Sequence, residues 1–560
     1  MKKNILTIIL KLIIVSVLLF LVVAILKISN NYKKSEISNQ TNLIINNNNV
    51  TAKLKNKVII QDDVIYISIN DMKNFFDKYI YVDEENSQII TTYNKNIGNL
   101  ILESENIFVN NKMKKINAKV EKKEQENGNE SYYLPISELK DIYDIELNYV
   151  ANNDVVIIDS IEKEQKQAKI SKKSNIKWKK QILSKTLEKV ELNENVVVIS
   201  NDENGWTKVR TKNGKIGYIE TKNLSDVQTV REAEKEENLI NGKIDMFWDY
   251  FSEVAKAPNR EGQKIDGVNV VSPSFFYIDK NGEFKENVGD TGKKYVDWAH
   301  NNGYKVWPMV SNSGSGMIEV TSGILNNYSL RHELIQKIVN VCKEYNLDGI
   351  NIDFENMYST DKDVYSRFII ELVPLMKQQN LVTSVDVTAP DGSETWSLCF
   401  DRTVLGDVAD YLIFMAYDQY GSGSSKAGPT AGYNWVENNL NKFIKTSEVK
   451  SEKLILGIPF YTRIWTITTD GQVSSKVVNM KDVNSVLPNN ADKTWNDTLK
   501  LNYVEYTEGK TTKRIWIEDI ESIREKVKLV KKYNLAGTSA WEKDREPEET
   551  WNVIKEELNK

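Results

Sequence analysis

Leu347-Asp348-Gly349-Ile350-Asn351-Ile352-Asp353-Phe354-Glu355-Asn356 is the stretch on which the fold turns. Successive side chains of a strand point to opposite faces, so Asn351, Asp353 and Glu355 share one face and Ile350, Ile352 and Phe354 the other. The apolar face is suited to packing under helices. The polar face is costly to bury unless its groups are paired or have chemical work to do. Such a face belongs inside a closed barrel whose strand ends carry the chemistry.

The elements needed for that barrel lie on both sides of this stretch. Apolar runs at 244–248, 268–276, 305–311, 349–355, 382–388, 411–417, 454–460 and 537–541 read as strands. Amphipathic runs separate most of them, at 330–345 and 364–379 for example. Eight strands alternating with helices predict a (β/α)8 TIM barrel over 240–560, in a multidomain chain, rather than an open sheet. The segment 461–524 is too long for one loop and helix, and predicts a small β-rich insertion after strand seven, beside the barrel mouth.

The motif spelling resembles the D-x-x-D-x-D-x-E signature of glycoside hydrolase family 18, matching at Asp348, Asp353 and Glu355 and departing at Asn351. Asn at that place is similar to the branch of the family with spore- and wall-associated N-acetylglucosaminidases. Met415-Ala416-Tyr417-Asp418 resembles the family's M-x-Y-D on strand six, and Gly457-Ile458-Pro459-Phe460-Tyr461 its strand-seven stretch. Trp541 matches the tryptophan beneath the family's −1 sugar. The resemblance implies that Glu355 is the general acid, and that Asp353 orients the substrate acetamide, which serves as nucleophile. It implies supporting roles for Asn351, Asp348, Tyr417 and Asp418, and substrate contacts from Trp541, Tyr461 and Met415. It implies no metal and no cofactor. Asn351 can donate a hydrogen bond to Asp353 but cannot take up a proton from it.

The chain begins differently. Lys2 and Lys3 precede an apolar run from Ile5 to Leu26 interrupted only by Lys11. As a helix that run would span about 33 Å, enough to cross a hydrocarbon core. No small-x-small cleavage site follows, so residues 1–30 read as an uncleaved membrane anchor, with secretion after signal cleavage as the alternative. Residues 31–49, rich in Asn and Ser, read as a tether.

Between 50 and 160 a weak internal repeat is visible. Tyr66-Ile67-Ser68-Ile69 with Met72, Tyr81-Val82-Asp83 and Ile89-Ile90 returns as Tyr133-Leu134-Pro135-Ile136 with Leu139, Tyr149-Val150 and Val156-Ile157. Each unit predicts a strand, a short helix and a hairpin. The pattern resembles stalk domains related to the N-terminal domain of copper amine oxidases, without implying copper, because the segment holds no histidine. Over 168–226, Gly205-Trp206-Thr207-Lys208-Val209, a turn at Asn213-Gly214 and Gly217-Tyr218-Ile219 predict a hairpin. This unit resembles a bacterial SH3-like barrel, which implies cell-wall peptide as its ligand. The charged segment 231–238 reads as a linker.

Composition narrows the function classes. The 560 residues are 40% hydrophobic and 27% charged, which fits folded domains and excludes a disordered chain. Seventy-four basic against 79 acidic residues give a net charge of −5 and no basic face for nucleic acid. Two cysteines and two histidines exclude a disulfide framework or a His/Cys metal cluster, and Cys342 and Cys399 read as free core thiols.

The expectation is therefore a membrane-tethered extracellular glycosidase, facing the cell wall, that hydrolyses β-1,4 bonds of N-acetylglucosamine-containing glycan. Peptidoglycan is the expected partner, with a chitinase-type enzyme or a non-catalytic glycan-binding scaffold as alternatives. The presence of Glu355 favours the enzyme.

Overall fold

The computed structural model describes residues 2–30, 39–124, 128–201, 204–234, 240–252, 256–286 and 288–560. The chain divides into two compact units, Met1–Glu237 and Asn238–Lys560.

The second unit is a TIM barrel. Its strands are β1 (Ile244–Asp249), β2 (Val270–Pro273), β3 in two pieces (Lys305–Val306 and Met309–Ser311), β4 (Gly349–Asp353), β5 (Val382–Val387), β6 (Tyr411–Met415), β7 (Leu454–Pro459) and β8 (Gly537–Trp541). Every neighbouring pair is parallel, and β8 pairs with both β7 and β1, which closes the ring. Closure requires close approach of backbones: a Cβ at Gly537 would lie 2.0 Å from the carbonyl oxygen of Ile244. The run at 268–276 is not one strand, because β2 stops at Pro273, which has no N–H to continue a ladder. Phe276–Ile278 then starts a hairpin with Phe284–Glu286 at the barrel rim.

Alternation sorts the side chains as the sequence predicts. Ile244, Met246 and Trp248 of β1 pack in the interior with Trp307 and Met309 of β3, Val382 of β5 and Ile413 and Met415 of β6. Trp307 stacks on Tyr411 there, ring centres 5.6 Å apart. On the outer face, Phe354 stacks on Phe368 of the helix Lys362–Lys377 at 5.6 Å with ring planes 6° apart. That helix buries Tyr365, Phe368, Ile369, Leu372 and Met376, an i, i+3, i+4 stripe, against the barrel.

After β7 the chain leaves the barrel and forms a five-stranded antiparallel sheet from Tyr461–Ile467, Val473–Asn479, Thr494–Asn496, Leu501–Glu508 and Thr511–Ile517. This is the expected insertion. Trp465 is fully buried and its Nε1 donates to the carbonyl of Gly428, which fixes the sheet to the loop following β6. Its exit is fastened by Lys526 on the helix Ile520–Tyr533, whose Nζ donates to Glu518 at 2.7 Å with both side chains fully buried.

In the first unit the repeat is visible as two strand–helix–hairpin motifs. Val64–Ser68 leads into the helix Ile69–Phe75, and Glu130–Pro135 leads through a 3-10 turn into Lys140–Tyr143. The two leading strands pair antiparallel, Ile67 opposite Leu134, so the repeats face each other across one sheet. Ser68 caps the first helix by accepting from the amide of Asp71. Seven antiparallel strands follow between Gln165 and Arg231. Within them Trp206–Thr211 and Ile216–Glu220 form the expected hairpin, with Gly214 at φ 79° in its turn.

Two sequence-based readings change here. The tether expected over 31–49 ends earlier, because Asn42–Ile45 pairs in parallel with Val155–Ser160 and buries Leu43 and Ile44. Three apolar residues among asparagines suffice for a strand when a partner edge is waiting. The linker expected over 231–238 loses Arg231 to the strand Leu224–Arg231. Residues 31–38 of the tether and 235–238 of the linker lie outside the described residues.

The N-terminal run forms the helix Lys2–Asn30, with side chains described over 9–24. Among the described residues no helix is long and apolar enough to cross a membrane. Cys342 and Cys399 are both free and buried.

Candidate active site

The C-terminal ends of β1, β4, β5, β6 and β8 meet at one mouth, where polar and aromatic side chains gather. From β4, Asn351 is fully buried and Asp353 is 7% exposed, while Glu355, just past the strand end, is partly open to solvent. Glu355 is held by its backbone: Asn312 Oδ1 accepts its N–H at 2.8 Å, and Asn312 Nδ2 donates to its carbonyl at 3.0 Å. Its carboxyl is left to face the cleft.

Asn351 is the centre of a fixed network. Its Oδ1 accepts from Trp248 Nε1 at 2.8 Å and from Ser272 Oγ at 3.3 Å, and its Nδ2 donates to Asp386 Oδ1 at 2.9 Å. Indole N–H can only donate, so the amide orientation is dictated. Asp386, on β5, is 1% exposed and hydrogen-bonds Asp353. Three carboxyls, from Asp353, Glu355 and Asp386, thus crowd one site.

The titration of all three reflects that crowding. Burial pushes Asp353 up to about 7, the hydrogen bond from Asp386 pulling the other way. Glu355 is held well above the usual carboxylate range by burial first, then by the charges of Asp353 and Asp418. Asp386 is raised by burial and by Asp353. A neutral carboxylic acid at the mouth beside ionisable partners is what general acid catalysis near neutral pH requires.

The walls are aromatic. Trp248 lies edge-on to Trp541 at 5.8 Å and to Tyr417 at 6.4 Å, and Tyr250 lies 5.7 Å from Trp541. Trp541 ends β8, and the peptide bond to Glu542 is cis. Tyr417 follows β6, and burial raises its hydroxyl well above the ordinary range. Tyr461, buried, donates from its hydroxyl to Asp418 Oδ1 at 2.8 Å, and Arg463 Nη2 reaches the same oxygen at 3.3 Å. Arg545 stands over the Tyr461 ring at 5.7 Å. Met415 fills the barrel interior beneath Tyr417 and Trp541.

The structure therefore gathers Asn351, Asp353, Glu355, Met415, Tyr417, Asp418, Tyr461 and Trp541 around one mouth. Asp348 is not among them. It precedes β4 at the opposite end, about 16 Å of strand away from Asp353. There Lys305 Nζ at 2.7 Å, the amide of Val306 at 3.0 Å and His300 Nε2 at 2.8 Å surround its carboxyl. It ties β3 to β4 at the barrel floor, so the supporting role expected for it in catalysis is replaced by a structural one. Sequence reading passed over Asp386, Trp248, Asn312 and Arg463. Asp386 had a signal, a lone acid on one face of a strand, in line with Val382 and Ser384. Asn312 had none.

A TIM barrel with a neutral acid, buried partner carboxyls and an aromatic floor at the C-terminal mouth defines a class of enzyme, the glycosidases of this fold. Residues 243–546, more than half of the chain, match the family described as glycosyl hydrolases family 18, and the chain belongs to that family. It is 27% identical over 297 residues to the uncharacterized glycosylase YvbX of Bacillus subtilis (strain 168), covering 51% of this chain and 84% of that one. It is 25% identical over 244 residues to the cortical fragment-lytic enzyme of the same organism, covering 42% of this chain and 56% of that one. In structure it resembles a chitinase from Chromobacterium violaceum ATCC 12472, with a TM-score of 0.50, 22% identity, and coverage of 57% of this chain and all of that one. That last likeness speaks to the fold.

Proposed function

We propose that this protein is an N-acetylglucosaminidase of the cell wall, cleaving β-1,4 bonds after N-acetylglucosamine with retention, through participation of the substrate's acetamide. The observation that carries the reading is the pairing of Asp353 with Glu355: one buried, the other at the cleft, both held toward neutrality.

Glu355 donates its proton to the glycosidic oxygen as the bond to C1 breaks. Asp353 accepts from the acetamide N–H and offsets the positive charge of the oxazolinium. Tyr417 donates to the acetamide carbonyl oxygen, which fixes its attack on C1, and Trp541 lies under the sugar. Water then opens the oxazolinium, and its proton returns to Glu355.

Peptidoglycan is favoured over chitin by the kinship with a cortical fragment-lytic enzyme. The seven-stranded unit between Gln165 and Arg231 is read as an SH3-like module for wall peptide. The helix Lys2–Asn30 is read as the membrane anchor, a reading supported by exposed apolar side chains at almost every position from Ile9 to Val23. Detergent-dependent extraction of the full chain tests the anchor.

The deciding experiment is digestion of purified peptidoglycan and of chitin oligosaccharides, with mass spectrometry of the products and NMR of the freshly formed reducing ends. Fragments with N-acetylglucosamine at the new reducing end, in the β configuration when first formed, are expected from peptidoglycan. An α-anomer formed first would mean direct attack by water and would remove the acetamide mechanism.

A further inference from the structure

The reaction as described leaves Asp386 without a part, although no carboxyl in the site is more deeply held. Its side chain enters the barrel interior from β5, beside β4, with 1% of its surface exposed. One oxygen accepts from Asn351 Nδ2, whose direction is set by Trp248 and Ser272 on the other side of the amide. The carboxyl also hydrogen-bonds Asp353. Two carboxylates in contact and out of water cannot both be ionised, so the bond between them contains a proton. Asn351 cannot be the holder of that proton, because an amide does not titrate in this range. The other titratable groups facing the pair are Glu355 at the end of β4, Tyr417 after β6 and Tyr365 on the helix Lys362–Lys377. Both tyrosines are raised by burial and stay neutral, so Glu355 is the one neighbour that competes for charge.

We infer that Asp386 is the positioning residue that keeps this proton during turnover, so that Asp353 can stand ionised against the substrate's acetamide. The inference rests on the proposed acetamide mechanism. Before substrate binds, the proton is shared between Asp353 and Asp386. When the acetamide N–H approaches, the proton resides on Asp386, and Asp353 presents a carboxylate. No proton enters or leaves the pair, while Glu355 gives its own proton to the leaving oxygen and recovers one from water. Asn351 acts as a fixed donor that holds Asp386 in place and is a spectator to the transfer.

The test uses the full-length protein and two variants. Asp386→Asn keeps shape and hydrogen bonding but removes the proton site; kcat should fall about 10²-fold with KM changed less than about threefold, and the pH dependence of kcat should lose the ionisation belonging to the pair. The exchange Asn351→Asp/Asp386→Asn returns a carboxyl to the neighbouring strand and should recover activity to within about tenfold of wild type. Wild-type kcat and pH profile in Asp386→Asn would overturn the inference. So would a folded exchange variant no more active than the single one, since a merely structural Asp386 gives no rescue.

Infrared difference spectra of wild type against Asp386→Asn and Asp353→Asn supply a readout without substrate. A buried protonated carboxyl band at neutral pH, altered in both variants, is expected; its absence from wild type overturns the shared proton even if hydrolysis is normal. If the band is present but N-acetylated glycan is not hydrolysed, the shared proton stands and the proposed function, with the role assigned to the proton in it, is withdrawn.

Discussion

Asn351 Nδ2 donates to Asp386 Oδ1 at 2.9 Å, which ties the catalytic strand β4 to an acid on β5. Replacing Asn351 with Asp would place a third carboxyl against Asp353 and Asp386. We expect Asn351→Asp to fold and to shift its pH–activity profile upward, because each added like charge raises the proton affinity of the cluster. Such raised groups contribute stability that is full below the ordinary carboxyl range and is lost as pH rises. The deficit in melting temperature against wild type should therefore be larger at pH 8 than at pH 5, which thermal melts at both values check.

Glu355→Gln should lower kcat by about 10²–10⁴-fold, the usual contribution of a general acid. The fold should survive, since Asn312 grips the backbone of residue 355 and not its side chain. Turnover of muropeptides together with the melting temperature separates the two. A Gln variant within a few-fold of wild type would remove Glu355 from the reaction.

Asp353, at about 7 in the folded protein against about 3.9 in an unfolded chain, binds more protons folded than unfolded between those values. Its contribution is present below pH 4 and disappears as pH rises through 7. Asp353→Asn removes the buried charge, so it should melt above wild type at pH 8, with the advantage shrinking toward pH 4. Calorimetry across that range reads the trend, and a constant difference would contradict it.

Asp348 tests the division between floor and mouth. Asp348→Asn keeps an acceptor for the Val306 amide but weakens the contacts with Lys305 and His300. Lys305 is about half exposed, so the loss should be about 1 kcal/mol or less, with kcat/KM within about twofold of wild type. Urea denaturation and steady-state kinetics measure the two. A large loss of kcat at unchanged stability would return Asp348 to the catalytic set.

Lys526→Met leaves Glu518 fully buried without its cation and should cost about 3–5 kcal/mol. Lys526→Met/Glu518→Leu should regain much of that, since neither charge then remains to be solvated. Denaturant midpoints of both variants decide; equal midpoints would show that Glu518 is already neutral in the wild type.

Much of this protein is written locally in its chain. Period-two and period-3.6 patterns set the barrel strands to within a few residues, and alternation along 349–355 fixed which acids face inward, because those preferences depend only on neighbours along the chain. Asn213-Gly214 likewise dictates its hairpin. The rest depended on which segments meet. Asp348 and Asp353 read as one motif, yet they lie at opposite ends of a strand and only strand length in space separates their roles. Asn42–Ile45 is a strand because Val155–Ser160 offers it an edge 113 residues away. Asp386, Trp248 and Asn312 join the site from β5, β1 and the loop after β3. Their hydrogen bonds to Asn351 and Glu355 exist only once the barrel has closed, when groups far apart in sequence lose water together and must satisfy one another.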